Sequence, residues 1–158
     1  MVHAEQWPDE AATIASAQRM ADRLLRLPVV GDAIVHLHGD LGSGKTTWVR
    51  HLLVALGVSG RIKSPTYAVV EPHGAPLPSG GLAIWHFDFY RFTDPQEWED
   101  AGFRDIFADS GLKLCEWPQN AGPALPPPDV SLHLQWVDDQ VRSVSWQSHS
   151  TKGQALMP

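Results

Sequence analysis

The run Gly39-Asp40-Leu41-Gly42-Ser43-Gly44-Lys45-Thr46 satisfies the pattern G-x-x-x-x-G-K-[ST] and restricts the possible folds more than any other part of the chain. A loop of this kind turns the main chain through positive φ and brings bare backbone N–H groups close to concentrated negative charge, which glycine permits without steric cost. It works only between a strand and a helix, and both flanks are present. Ala33–His38 is a short, largely apolar run that reads as a buried parallel strand. From Thr46 to Leu56, Val49, Leu52, Leu53 and Leu56 recur at helical spacing, and Gly57 supplies the stop. In such a setting Lys45 reaches the β- and γ-phosphates of a nucleoside triphosphate, while the hydroxyl of Thr46 completes the shell of a Mg²⁺.

A chain of 158 residues with 43% hydrophobic content suits one domain with a single core. The N-terminal stretch carries Glu5, Asp9 and Glu10 and lacks a basic segment followed by an apolar one, so a cytoplasmic, membrane-free protein is expected. Cys115, the sole cysteine, excludes an internal disulfide and a thiolate zinc cluster, and reads as core packing. Twelve Lys and Arg against 18 Asp and Glu give a formal charge of -6, which disfavours direct, tight binding of DNA or RNA. The eight histidines are scattered, without an H-x-x-x-H pair that would suggest a metal site.

Along the chain, Pro8-Asp9-Glu10 opens a helix predicted to run to about Leu27, with Ile14, Ala17, Ala21, Leu24 and Leu25 on its apolar face. Lys63-Ser64-Pro65-Thr66 is a non-helical turn and Tyr67–Glu71 a strand. A Pro/Gly-rich loop is expected over 72–81. Leu82–Phe87 reads as a strand antiparallel to the previous one, delivering Asp88 at its carboxyl end. Asp94, Pro95 and Glu97 form a capping-box helix start, ended by Gly102. Leu112–Cys115 is a further strand that carries Glu116 to its end. Residues 118–128 hold five prolines and form a connector. The alternation over Val130–Trp136 and then Val141–Trp146 predicts a C-terminal hairpin, with the last dozen residues frayed and the ordered core spanning about 8–146. The fold class implied is α/β, a single P-loop NTPase-like domain with a mixed sheet and flanking helices.

In open α/β sheets ligands sit beyond the carboxyl ends of the strands, where the phosphate loop, Asp88 and Glu116 are expected together. A Mg²⁺ beside a triphosphate needs one or two carboxylates, so Asp88 and Glu116 are the candidate partners of Thr46. Ser64, Pro65 and Thr66 form a rigid, hydroxyl-bearing turn where a γ-phosphate-sensing switch would lie. No N-K-x-D sequence is present to read guanine, so adenine is the expected base.

Gly39 to Thr47, Lys63-Ser64-Pro65-Thr66-Tyr67, His86-Phe87-Asp88-Phe89-Tyr90-Arg91 and Glu116-Trp117-Pro118 occur in the order and spacing of the bacterial TsaE (YjeE) family, which the chain resembles from about Pro8 to Trp146. The resemblance implies an ATP hydrolase serving biosynthesis of threonylcarbamoyladenosine in tRNA, working with partner proteins TsaB and TsaD and meeting tRNA only through them. It implies that Lys45, Thr46 and Thr47 belong to the phosphate and Mg²⁺ site, that Glu116 joins the metal shell, and that Asp88 acts in hydrolysis by orienting water or metal. It also implies that Asp9 and Thr13 lie near the base and that Trp117 and Gln119 lie close to the nucleotide. Arg91 and Arg104 are candidates for an arginine finger within the chain, and a partner could supply one in trans. Two other readings use the same loop: a small-molecule kinase, which requires an acceptor pocket, and a nucleotide-binding module that does not hydrolyse.

Overall fold

In the computed structural model, which describes residues 1–65 and 68–158, a seven-stranded mixed sheet forms in the order β1-β7-β6-β2-β5-β4-β3. Chain order is β1 (Val2–Trp7), α1 (Glu10–Leu25), β2 (Ala33–His38), α2 (Lys45–Ala55), β3 (Val70–Leu77), β4 (Gly80–Asp88), α3 (Gln96–Ala101), α4 (Arg104–Ala108), β5 (Leu112–Glu116), a 3₁₀ turn (Pro118–Ala121), β6 (Val130–Trp136), β7 (Arg142–Ser148) and α5 (Thr151–Ala155). The central strands β6, β2, β5 and β4 are parallel, and the outer pairs β1/β7, β7/β6 and β3/β4 are antiparallel.

Parallel strands in mid-sheet are covered on both faces, and the burial of β2 and β5 follows that rule. On one face Val35, Leu37, Leu114, Leu132 and Trp146 pack against Ala17, Met20, Leu24, Val49, Leu52 and Leu53 of α1 and α2. On the other, Phe87 and Cys115 lie under a smaller aromatic cluster of Phe89, Phe92, Trp98, Phe103 and Phe107, mostly from α3, α4 and the segment before them. Cys115 is fully buried there, and burial raises its thiol pKa. Among the described residues, no helix is long and apolar enough to cross a membrane.

Most expected elements form, with boundaries set by the chemistry that suggested them. Asp9 caps α1 by accepting from Ala12 N at 2.9 Å, although that helix stops at Leu25. At the start of α3, Glu97 accepts from Asp94 N at 3.2 Å and Asp94 accepts from Gln96 N at 2.9 Å, and Gly102 ends the helix at φ 70°. The buried face of α1 centres on Thr13, Ser16, Ala17, Met20, Ala21 and Leu24, whereas Ile14 is half-buried and Leu25 is exposed. Polar Ser16 faces inward because its hydroxyl accepts from Trp48 Nε1 at 3.2 Å.

Three expectations are corrected. The segment 72–81 is largely strand: β3 runs from Val70 to Leu77 and turns directly into β4, while Tyr67 lies outside the described residues. Pro72 and Pro76 are tolerated because β3 is the edge of the sheet, where a missing N–H costs little. The ordered structure begins before residue 8, since β1 pairs antiparallel with β7 and buries Trp7. The last residues are folded as well. Ser150 caps α5 by accepting from Gly153 N at 2.9 Å and donates to Asp129 at 2.8 Å, and Leu156 and Met157 are buried.

Two predictions test this packing. A Cβ on Gly153 would lie 1.7 Å from the carbonyl oxygen of Asp129. Gly153→Ala should therefore lower the stability read from urea denaturation by about 1–3 kcal/mol; a change under about 0.5 kcal/mol would mean that α5 contributes nothing. His36 is buried on β2, donates to the carbonyl of Pro126, and has no partner for Nε2. Burial, together with His38 and His149, pushes its pKa from 6.5 down to about 3, and burial with His133 pushes His38 to about 4. The unfolded chain takes up protons that the folded chain refuses, so stability is full above pH 6.5 and falls as pH drops toward 4 and 3. His36→Leu should flatten that slope in denaturation midpoints measured from pH 7 to pH 4; an unchanged slope contradicts the assignment.

Candidate functional site

The loop between β2 and α2 takes the conformation its glycines allow. Gly39, Gly42 and Gly44 have φ of 149°, 79° and 105°, and Gly44 caps α2 in the left-handed region. A Cβ at Gly39 would stand 2.5 Å from the carbonyl of Leu134, so the loop leans on β6 as closely as a main chain can. Ser43 N donates to Asp40 O at 3.1 Å and closes the turn, leaving the first amides of α2 facing outward at the positive end of the helix dipole.

Lys45 lies over this turn. Its Nζ donates to Asp40 O at 3.0 Å and to Gly39 O, and sits 4.8 Å from the centre of the Trp117 ring. Burial lowers its pKa, against the opposing pull of Glu116, Asp88 and Asp40. Thr46 Oγ1 donates to Glu116 Oε1 at 2.8 Å, with Oε2 at 3.0 Å. Asp88 and Glu116 end neighbouring parallel strands in direct register, which puts both carboxylates beside the loop. Burial raises the pKa of Asp88, helped by the charge of Glu116 and opposed by the Tyr90 N–H it accepts at 2.9 Å.

Lys45, Thr46, Thr47, Leu41, Gly42 and Gly44 line a cavity of about 220 Å³ with Asp88, Glu116 and Trp117. A larger cavity of about 480 Å³ shares Gly44 and Thr47 with it and is closed by Trp7, Asp9, Glu10 and Thr13. Asp9 and Thr13 thus share a cavity with Gly44 and Thr47 of the phosphate loop and the start of α2. A third cavity, of about 290 Å³, lies past Thr46 and Asp88 and is lined by Ser64, Pro65, Tyr90 and Arg91. Ser64 accepts from Arg50 Nη2 at 2.9 Å, and Thr66 lies outside the described residues.

Not every expected residue joins the group. Gln119 is exposed on the 3₁₀ turn and lines none of the three cavities. Arg104 pairs with Glu99 at 3.3 Å, away from the cavities, so of the two arginines only Arg91 is near Asp88. Trp117 alone among the described non-glycine residues has positive φ, at 53°. From this left-handed backbone the Trp117 ring lies over Lys45 and against Tyr90.

Two residues to which the sequence assigned no role complete the site. Arg142 of β7 donates from Nε to Ser43 O at 3.0 Å and from Nη2 to Gly42 O at 3.4 Å, and lines both of the first two cavities. His86 of β4 places Nε2 2.5 Å from Glu116 Oε2, with 1% and 2% of the two residues exposed. The signal for His86 was its place two residues before Asp88, on the same strand face.

The oxygen donors suit a small, hard cation. Thr46 and Glu116 converge to hydrogen-bond distance with Asp88 alongside, the donor set that Mg²⁺ uses when phosphates supply further oxygens. Among the described residues there is no group of three or more His, Cys, Asp or Glu that could hold a metal unaided.

The family described as "Threonylcarbamoyl adenosine biosynthesis protein TsaE" matches residues 7–144. A Haemophilus influenzae protein named tRNA threonylcarbamoyladenosine biosynthesis protein TsaE is 39% identical over 84% of this chain and 81% of its own. A Bacillus subtilis protein of the same name is 29% identical over 80% and 75%. The crystal structure of Bacillus subtilis YdiB has the same fold, with a TM-score of 0.71 at 23% identity over 99% of this chain and 93% of that one. With this family match running from the end of β1 into β7 and the phosphate loop, Asp88 and Glu116 inside it, the chain belongs to the TsaE family.

Proposed function

We propose that the protein is a Mg²⁺-dependent ATP hydrolase that assists formation of the threonylcarbamoyl group on adenosine of tRNA, acting on a partner complex of the TsaB–TsaD type. The observation that carries this reading is the convergence of the phosphate loop with two strand-end carboxylates, one of them hydrogen-bonded to Thr46. Family membership supplies the pathway.

The loop amides and Lys45 hold the phosphates, and the cavity closed by Trp7, Asp9 and Thr13 takes the nucleoside. Thr46 and Glu116, with Asp88 beside them, would hold Mg²⁺, which would supply positive charge against that developing on the phosphates. Asp88 orients a water whose oxygen bonds to the γ-phosphorus as the bond to the bridging oxygen breaks and ADP leaves. A carboxyl raised by burial is the better acceptor of the proton that water loses. Arg142 braces the loop through its carbonyls, so that its amides need no rearrangement. A net charge of -6 suits contact with tRNA through partner proteins, and a cytoplasmic location fits that role.

One observation favours a second reading. The cavity of about 290 Å³ beyond Asp88 could admit a small acceptor, as a kinase requires. Asp88→Ala distinguishes the possibilities in single-turnover assays with ATP and Mg²⁺. Hydrolysis should fall about 100-fold or more while ATP affinity stays within a few-fold. No hydrolysis by the parent, with only affinity lost in Asp88→Ala, would fit a non-hydrolysing binder, and a phosphorylated small molecule formed in place of free phosphate would fit the kinase.

A further inference from the structure

The His86–Glu116 contact joins two side chains that water hardly reaches, and nothing in the reading of the loop requires it. A carboxylate offers only acceptors, so the ring nitrogen is the donor, and such charge-assisted bonds are short and strong. Thr46 approaches both oxygens of the same carboxylate, Oε1 at 2.8 Å and Oε2 at 3.0 Å. Glu116 is therefore held from two sides, by the first turn of α2 and by β4. Thr46 sits in the first turn of α2, where its hydroxyl would turn to a bound cation, whereas His86 sits inside the sheet with its backbone in register with Leu114. Of the two contacts, only the one to the sheet can persist when a cation comes between Thr46 and Glu116.

We propose that His86 is a positioning residue: by donating to Glu116 Oε2 it fixes the carboxylate in the orientation that meets Thr46, and so sets how strongly the site gains a divalent cation together with the nucleotide. This rests on the reading that the loop takes ATP with Mg²⁺. The contact leaves Oε1 aimed at the loop and removes the rotamer freedom that a glutamate held at one end would keep. A histidine present only for packing would influence folding without distinguishing nucleotide from nucleotide with Mg²⁺. Partners of this type in other metal sites change metal affinity about 10–100-fold when removed.

The test is calorimetric titration of the full chain with a non-hydrolysable ATP analogue, with and without Mg²⁺, for wild type, His86→Leu and His86→Gln. Affinity without Mg²⁺ should match in all three. The Mg²⁺ concentration giving half of the tightening should rise about 10–100-fold in His86→Leu, and His86→Gln, whose amide keeps a donor at the same reach, should recover most of it. In a Glu116→Gln background, His86→Leu should add nothing further to the Mg²⁺ dependence, which keeps the test decisive if the single Leu variant is poorly stable. Binding by wild type with the same Mg²⁺ dependence in His86→Leu, or a loss equal with and without Mg²⁺, overturns the inference alone. Absence of binding by folded wild type overturns the nucleotide reading, and this inference with it.

Discussion

A glutamate shut away from water at the end of β5 has to be matched by donors, and the rest of the site is arranged around that requirement. Glu116 is only 2% exposed, and its oxygens are met by Thr46 from the phosphate loop and His86 from β4. An unmatched carboxylate there would cost several kcal/mol, so the bonds tie the helix carrying the loop to the two strands that carry the acids. This is how a loop after β2 and acids at the ends of β4 and β5 become one site. The parallel register that aligns Asp88 with Glu116, and Leu37 with Glu116, makes the meeting unavoidable.

Around this anchor the loop is stiffened from two more directions. Gly39 leans on the backbone of β6, and Arg142 reaches back from β7 to the carbonyls of Gly42 and Ser43. The outer hairpin therefore does more than extend the sheet. Trp117, with its left-handed backbone, lies above Lys45 on the opposite side. Together these contacts leave the loop amides little freedom, the preorganisation on which electrostatic catalysis of phosphoryl transfer depends.

Much of this was legible in the sequence, and the reasons for the gaps are physical. Glycine spacing, the apolar run of β2 and the acids at the strand ends are local signals, and they identified Lys45, Thr46, Asp88 and Glu116 before any geometry was known. Roles that depend on distant pairing left a weaker trace. Arg142 acts through carbonyls some 99 residues away along the chain, and His86 reads as an ordinary strand residue until β5 is set beside β4. The prolines of β3 argued for a loop because edge strands cannot be told from loops without knowing the sheet order. The final helix was missed for a similar reason: five residues with a glycine carry no periodic signal, and its stability comes from Asp129 and the burial of Leu156.

Recognition of an adenine nucleotide's phosphates by the loop from Gly39 to Thr46, with a divalent cation at Thr46 and Glu116, is the claim on which the functional reading stands. Equilibrium binding of ATP and ADP to the folded chain in the presence of Mg²⁺ tests it most directly, with Lys45→Ala alongside. Saturable binding of one nucleotide per chain, abolished by that substitution, is the expected result. Folded protein that takes up neither nucleotide, or a Lys45→Ala variant that binds as well as the parent, would contradict it.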